Sequence, residues 1–312
     1  MNTKTSKFNL LRRSLLTVFS LLLFILIGGS TLAAAQDDDE TIKIEYSLVV
    51  LNATITDGAG KPFTGLKEPQ FKVYEDGVEQ KLDLFEAAKT PFAAVILLDT
   101  SGSMEQRVSL ARSAAILFLD GLRVDDTAAI YNFDSKVSLV QDFSNSRDIT
   151  DRIFNLKAYG TTVLNDAIYK AAEELSKRKE KRRAIIVLSD GADTSSGRSS
   201  DKALKAAIAA NATIYTIDMS AIDTGGKDRA QSQGALKNFA EKSGGLFIPT
   251  PGGLAMREAF KNIVEELGVQ YTLGYQSSNP KKDGKWRAIE LRVAKPNLNI
   301  RTRKGYNAPK AK

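Results

Sequence analysis

Asp99, Ser101 and Ser103 occupy alternate positions in the string Asp99-Thr100-Ser101-Gly102-Ser103, directly after a near-continuous apolar run over residues 92–98. A second apolar run, residues 184–188, gives way to Ser189-Asp190-Gly191, and Thr162 follows Gly160-Thr161 just ahead of a segment with helical spacing. Two carboxylates and three hydroxyls, with no nitrogen or sulfur among them, are a hard-cation set. Mg2+ wants near-octahedral oxygen ligands and keeps several waters, so hydroxyls and water-bridged carboxylates suit it. Mn2+ or Ca2+ are the other candidates, although Ca2+ normally recruits more carboxylates and carbonyls. Such a shell is short of anionic ligands, and an incoming carboxylate would complete it.

The remaining composition removes most alternatives. The 312 residues include no cysteine and no histidine. That excludes Ser-His-Asp and Cys-His catalysis, histidine acid–base chemistry, zinc sites of cysteine or histidine, iron–sulfur ligation and disulfides. Asp99-Thr100-Ser101-Gly102 has no second loop of its kind, which an aspartic-protease pair requires. No G-x-G-x-x-G follows residues 92–98, so a dinucleotide site is disfavoured. A metal-dependent hydrolase would need a base near the ion, and Asp134, Asp166 and Asp193 are the candidates.

The elements that must position these residues follow from hydrophobic period. From residue 92 onward strands and helices alternate: strands at 92–98, 128–133, 137–140, 184–188, 213–217 and 246–248, and helices at 108–119, 149–156, 164–175, 203–210, 235–242 and 254–267. Alternation of this kind predicts an α/β fold, a doubly wound, Rossmann-like, mostly parallel sheet with helices on both faces. In the strand order 3-2-1-4-5-6 the first and fourth strands are neighbours across the switch point, where ligands bind outside the carboxyl ends. Asp99 and Asp190 then converge. On either side the period is two: alternating residues from Ile42, the pair of runs 71–75 and 79–85 around the hairpin signal Asp76-Gly77, and runs at 271–275, 289–293 and 298–303. The two flanks together approach the ~100 residues of a small sandwich. The α/β domain is therefore expected to be inserted in, or flanked by, a small β-sandwich, with Trp286, Tyr271, Tyr275 and Tyr306 in its core or rim.

Asp99-x-Ser101-x-Ser103 with Thr162 and Asp190 resembles the metal-ion-dependent adhesion site of von Willebrand factor A domains. The resemblance covers residues 92–267, and exported bacterial proteins of this kind are similar also at Phe71-x-Val73-Tyr74-Glu75-Asp76-Gly77 and at Leu273-Gly274-Tyr275 to Arg303-Lys304-Gly305-Tyr306. It implies a non-enzymatic, adhesion-type binding module. Mg2+ would be held by Ser101, Ser103 and Thr162 directly and by Asp99 and Asp190 mainly through water, and a Glu or Asp side chain of a protein partner would take the open position. Gly160, Thr161 and Gly191 would line the ligand-binding rim. Gly160-Thr161-Thr162 departs from the pattern of two glycines before the threonine, which makes Thr161 a substitute ligand candidate. The expected divisions are a signal peptide at 1–35, a β-rich flank at 41–91, the A domain at 92–267 and a second β-rich flank at 268–307.

Charge points away from nucleic acid. The formal net charge is +7, but Lys4, Lys7, Arg12 and Arg13 precede an apolar run over residues 15–27 and the small residues Ala33-Ala34-Ala35, the three-part layout of a secretory signal. Cleavage after Ala35 leaves 40 Lys+Arg against 37 Asp+Glu. The protein is thus expected to be exported to the periplasm, cell surface or medium, the alternative being a membrane anchor made by an uncleaved N-terminal helix. Neither a nucleic-acid partner nor a small-molecule substrate is expected. The basic run from Lys177 to Arg183 reads as a solvated face at the sheet edge opposite the metal residues.

Overall fold

The computed structural model describes residues 48–87, 89–145, 151–220, 227–249 and 253–311. The signal-peptide and membrane-anchor expectations fall on residues outside this set. Among the described residues no helix is long and apolar enough to cross a membrane.

The first flank supplies β1 (Leu48–Thr56), β2 (Phe71–Glu75), β3 (Val78–Gln80) and β4 (Leu82–Glu86). The middle of the chain runs β5 (Phe92–Asp99), α1 (Val108–Asp120), β6 (Thr127–Phe133), β7 (Val137–Ser144), α2 (Leu164–Ser176), β8 (Arg182–Ser189), α3 (Ser200–Ala209), β9 (Ala212–Asp218), α4 (Lys227–Ser243), β10 (Phe247–Ile248) and α5 (Gly253–Val269). The second flank supplies β11 (Tyr271–Gln276), β12 (Trp286–Val293), β13 (Asn299–Arg301) and β14 (Gly305–Asn307).

The central sheet has the order β10-β9-β8-β5-β6-β7, parallel except for the antiparallel edge strand β7. Every residue of β5 is buried because both faces of the strand are covered. Phe92, Ala94, Ile96 and Leu98 point to one side, into a core with Ala111, Ala115 and Phe118 of α1 and Met256, Phe260 and Ile263 of α5. Ala93, Val95 and Leu97 point to the other, against Ala167, Ile168 and Ala171 of α2, Leu204 of α3 and Phe239 of α4. The chain winds outward from β5 through β6 to β7 and returns to β8 on the other side. This is the doubly wound order expected from the sequence, with the switch point between β5 and β8.

The flanks interleave rather than fold separately. β1 pairs antiparallel with β11, and β2 with β12, giving two sheets of order β13-β1-β11-β4 and β14-β12-β2-β3. Leu51, Ala53 and Ile55 of β1, Phe71 and Val73 of β2, Leu273 and Tyr275 of β11, and Ile289 and Leu291 of β12 share one core. Asp76 and Gly77 adopt φ of 48° and 84°, the left-handed pair that closes the β2–β3 hairpin. Three details differ from the sequence reading. The run at 79–85 breaks at Lys81, so that β3 stays in one sheet and β4 pairs with β11 in the other. The run at 298–303 forms only β13, and β14 resumes beyond it at Gly305 in the other sheet, because Arg303 turns aside to donate to the Ile208 carbonyl and to Asn211 Oδ1, each at 3.0 Å. The helix expected at 149–156 is only a 3-10 turn, Asp151–Asn155, anchored by the buried Ile153. Beyond it the chain is drawn off by Arg112 Nη2 donating to the Leu156 carbonyl at 3.2 Å and Tyr159 N donating to the Thr100 carbonyl at 2.8 Å.

The basic run at 177–183 is not simply a solvated face. Arg182 is fully buried and donates to the carbonyls of Gly268, at 3.0 Å, and Gln270, at the end of α5 and the start of β11. A buried guanidinium thus satisfies orphan carbonyls at a helix C-terminus, the end that favours positive charge. Burial lowers its pKa to about 10, which leaves it charged at neutral pH. Arg178 pairs with Glu180 at 2.7 Å, and Arg183 donates to the Ala210 carbonyl at 2.9 Å. Nearby, the buried Glu266 of α5 accepts from Tyr215 Oη of β9 at 2.5 Å and Thr54 Oγ1 of β1 at 2.9 Å, and pairs with Arg301 of β13. These bonds weld the α/β domain to the sandwich.

Candidate functional site

Asp99 ends β5, and in the register with β8 Leu98 stands opposite Leu188, which sets Ser189 and Asp190 beside it. The Asp99 carboxylate is fully buried, with Oδ1 accepting from Ser101 N at 2.9 Å and Oδ2 from Ser189 Oγ at 2.6 Å. Burial pushes its pKa up to about 6 against the lowering effect of those hydrogen bonds, and the nearby charge of Asp190 raises it further. Ser101 Oγ and Ser103 Oγ lie 3.1 Å apart. Ser101 is buried and Ser103 exposed, so the pair spans from the strand end to solvent. Asp190 is half-buried, its Oδ1 accepting from Ala192 N at 3.1 Å.

Thr162 is held by a trade of hydrogen bonds between the start of α2 and the loop after β8. Helix starts leave backbone N–H groups without partners, and Val163 at this one gives no side-chain cap. Loop residues supply the acceptors instead. Thr194 Oγ1 accepts from Thr162 N at 2.9 Å, Asp193 Oδ2 from Asn165 N at 2.7 Å, and Ser196 Oγ from Asp166 N at 3.2 Å. In return the Thr162 carbonyl accepts from Thr194 N and Ser195 N, and the Asp166 carboxylate from Gly197 N at 2.9 Å and Arg198 N at 3.1 Å. The buried Thr162 and the loop that carries Asp190 are therefore one clamped unit.

Gly160 and Gly191 fit their places by lacking a side chain. Gly160 has φ of 77°, and a Cβ there would stand 2.3 Å from Ser135 Oγ; its carbonyl accepts from Gly102 N at 3.1 Å. Gly191 has φ of 83°, and a Cβ would stand 2.5 Å from the Ser232 carbonyl oxygen of α4. Thr161 has an ordinary φ and is exposed beside the buried Thr162.

The structure therefore brings Asp99, Ser101, Ser103 and Asp190 to one edge of the sheet, with the loop of Gly160, Thr161 and Thr162 bound to both strand ends. Asp166 and Asp193 are occupied in capping α2, and Asp134 accepts from Lys136 N at 3.2 Å within its own turn. Sequence reasoning passed over Ser189, Thr194 and Asn132, whose Nδ2 donates to Thr100 Oγ1 at 3.0 Å. Ser189 was detectable as a hydroxyl beside Asp190 at a strand end. It also passed over Asp218 at the end of β9, an Asp-x-Ser repeat in which Ser220 Oγ and Gln233 Nε2 take up the carboxylate at 2.5 and 2.6 Å. No three His, Cys, Asp or Glu side chains cluster to hold a metal among the described residues. Any cation here would rest on hydroxyls as much as on carboxylates, and the hydroxyl-rich oxygen set fits Mg2+ chemically.

Residues 94–192 match the family model of the von Willebrand factor type A domain. An uncharacterized protein of Synechocystis sp. is 33% identical over 108 residues, which cover 33% of this chain and 26% of that protein. Solved structures with a similar fold include the PilB minor pilin from Streptococcus sanguinis (16% identity, TM-score 0.46, covering 58% of this chain and 62% of that one). A von Willebrand factor type A structure from Catenulispora acidiphila gives 13% identity and a TM-score of 0.48, covering 86% of this chain and 75% of that one. The vWF domain of the type V pili tip protein Mfa5 from Porphyromonas gingivalis gives 14% and 0.49, covering 59% and 98%. The match thus spans about a quarter of the curated relative and less than two thirds of the pilin.

Proposed function

Because residues 94–192 match the von Willebrand factor type A domain model, we propose that the chain is an exported, non-enzymatic protein-binding module of adhesion type that captures an acidic partner residue through Mg2+. Ser101, Ser103 and Thr162 supply hydroxyl ligands, and Asp99 and Asp190 supply negative charge behind them. The metal offers a Lewis-acidic position that a Glu or Asp of a protein partner fills. The observation that carries this reading is the Ser101–Ser103 hydroxyl pair, 3.1 Å apart, beside a fully buried Asp99 carboxylate that no described side chain neutralises. A buried carboxylate of this kind costs stability unless a cation accompanies it. The engagement of Asp166 and Asp193, two of the three candidate bases, at the start of α2 supports a binding role over a hydrolytic one.

Calorimetric titration of Mg2+, Mn2+ and Ca2+ into EDTA-stripped protein tests the proposal. Saturable binding is expected in the wild type, with at least a tenfold loss, about 1.4 kcal/mol, in Ser101→Ala. Equal binding by both proteins overturns the assignment. Export is tested by the N-terminus of the protein recovered from its host, which is expected at Gln36.

A further inference from the structure

The segment that leads into Gly160 carries two large apolar side chains in water. Tyr159 is 77% exposed and Phe154 53% exposed, whereas their neighbours Ile153, Leu156 and Ala158 turn inward to the core shared with α1. Scattered exposed apolar residues are ordinary on protein surfaces. What distinguishes Tyr159 is that the backbone around it is tied at two points to the Asp99–Ser103 string and at a third to α1. Tyr159 N donates to the Thr100 carbonyl, Gly102 N to the Gly160 carbonyl, and Arg112 Nη2 to the Leu156 carbonyl. The Arg112 guanidinium also lies 5.9 Å from the centre of the Phe154 ring. Tyr159 is thus fixed three residues ahead of Thr162 and bonded directly to the chain between Asp99 and Ser101.

An exposed aromatic on a fixed backbone has only two side-chain torsions to lose on binding, and aromatic residues supply much of the energy of protein interfaces. We infer that Tyr159 is a specificity-determining contact that selects partners whose metal-bound Glu or Asp is flanked by an apolar side chain. The inference rests on the acid-capture reading of the site and names its partner class: a protein loop carrying an acidic residue with an apolar neighbour. The carboxylate goes to the ion, the neighbour covers the Tyr159 ring, and the apolar area so removed from water adds affinity that a polar neighbour cannot.

The test uses three synthetic peptides in saturating Mg2+ with the full chain: Gly-Leu-Glu-Leu-Gly, Gly-Ser-Glu-Ser-Gly and Gly-Leu-Gln-Leu-Gly. The leucine-flanked glutamate peptide is expected to bind about 3–10-fold more tightly than the serine-flanked one. Tyr159→Ser removes that preference while leaving calorimetric Mg2+ affinity unchanged, because the side chain lies in solvent and holds no ligand in place. Equal affinity of the two glutamate peptides for the wild type overturns the inference, as does a preference that survives in Tyr159→Ser. A glutamine peptide that binds as well as its glutamate counterpart, or protein that takes up no Mg2+, overturns the acid-capture reading beneath it, so the two failures are told apart.

Discussion

At the end of the central sheet where β5 and β6 begin, Asp126 is fully buried, and it is answered from every side. Arg123 Nε and Nη2 donate to it at 2.8 and 2.7 Å, and Phe92 N donates at 3.2 Å. At the end where β5 and β8 finish, Asp99 is equally buried, yet it is met by the Ser101 backbone and hydroxyl, by Ser189 Oγ and by the repulsion of Asp190, with no described cationic side chain paired to it. Both are aspartates at strand ends in the same sheet. The first is part of the protein's own stability, with Arg182 and Glu266 close by in the same role. The second leaves negative charge and hydroxyl oxygen unmatched by any described cation, which is what a site built around an external ion requires.

Arg182→Met should break the closed end most severely. The methionine fills the space but leaves the carbonyls of Gly268 and Gln270 without their donor, and each buried polar group so orphaned costs ~1–3 kcal/mol. A total loss of about 3–5 kcal/mol is expected in urea unfolding. Amide exchange should speed up first at the end of α5, while Mg2+ affinity of the folded protein stays as in the wild type. A loss below 1 kcal/mol would mean that the weld between the domains lies elsewhere.

The sharpest form of the comparison is one substitution made at both ends. Asp126→Asn discards an ion pair whose carboxylate is fully buried and whose guanidinium is 35% exposed, and should cost about 2 kcal/mol. Asp99→Asn, in EDTA, removes a carboxylate whose burial pushes its pKa up to about 6. The ionised form is disfavoured in the fold, so the amide should change stability by no more than ~1 kcal/mol and in either direction. With Mg2+ present the order should change: the wild type and Asp126→Asn are expected to gain melting temperature and Asp99→Asn is not. Equal losses for the two variants in EDTA would remove the distinction between a paired and an ion-ready aspartate.

The open end was far easier to read from sequence than the closed one. Strand ends at Asp99 and Asp190 follow from apolar runs that stop in a polar string, and the doubly wound order makes them neighbours without further information. Polar residues that bond across the fold leave no such trace. Arg182 sits in a run of six basic residues and looks like its solvated neighbours; only the packing of α5 and β11 against the start of β8 makes it a buried cap. The breaks at Lys81 and around Arg303 are of the same kind, because alternation persists through them while the strand changes sheets. Thr194 and Asp193 act on the start of α2 from about 30 residues away in the chain, beyond the reach of any local capping pattern.

The smallest effect concerns the departure from two glycines before Thr162. At Gly160 the glycine is needed, since φ is 77° and a side chain would run into Ser135. At Thr161 the backbone is unstrained and the side chain exposed, so no glycine is called for and the threonine neither strains the loop nor fills the core. Thr161→Ala should therefore shift stability by less than ~0.5 kcal/mol, as exposed substitutions do. Calorimetry should find its Mg2+ affinity within about threefold of the wild type, against the tenfold or greater loss in Ser101→Ala. A Thr161→Ala loss as large as that of Ser101→Ala would make Thr161 a ligand in its own right and extend the ion-ready end of the sheet one residue further into solvent.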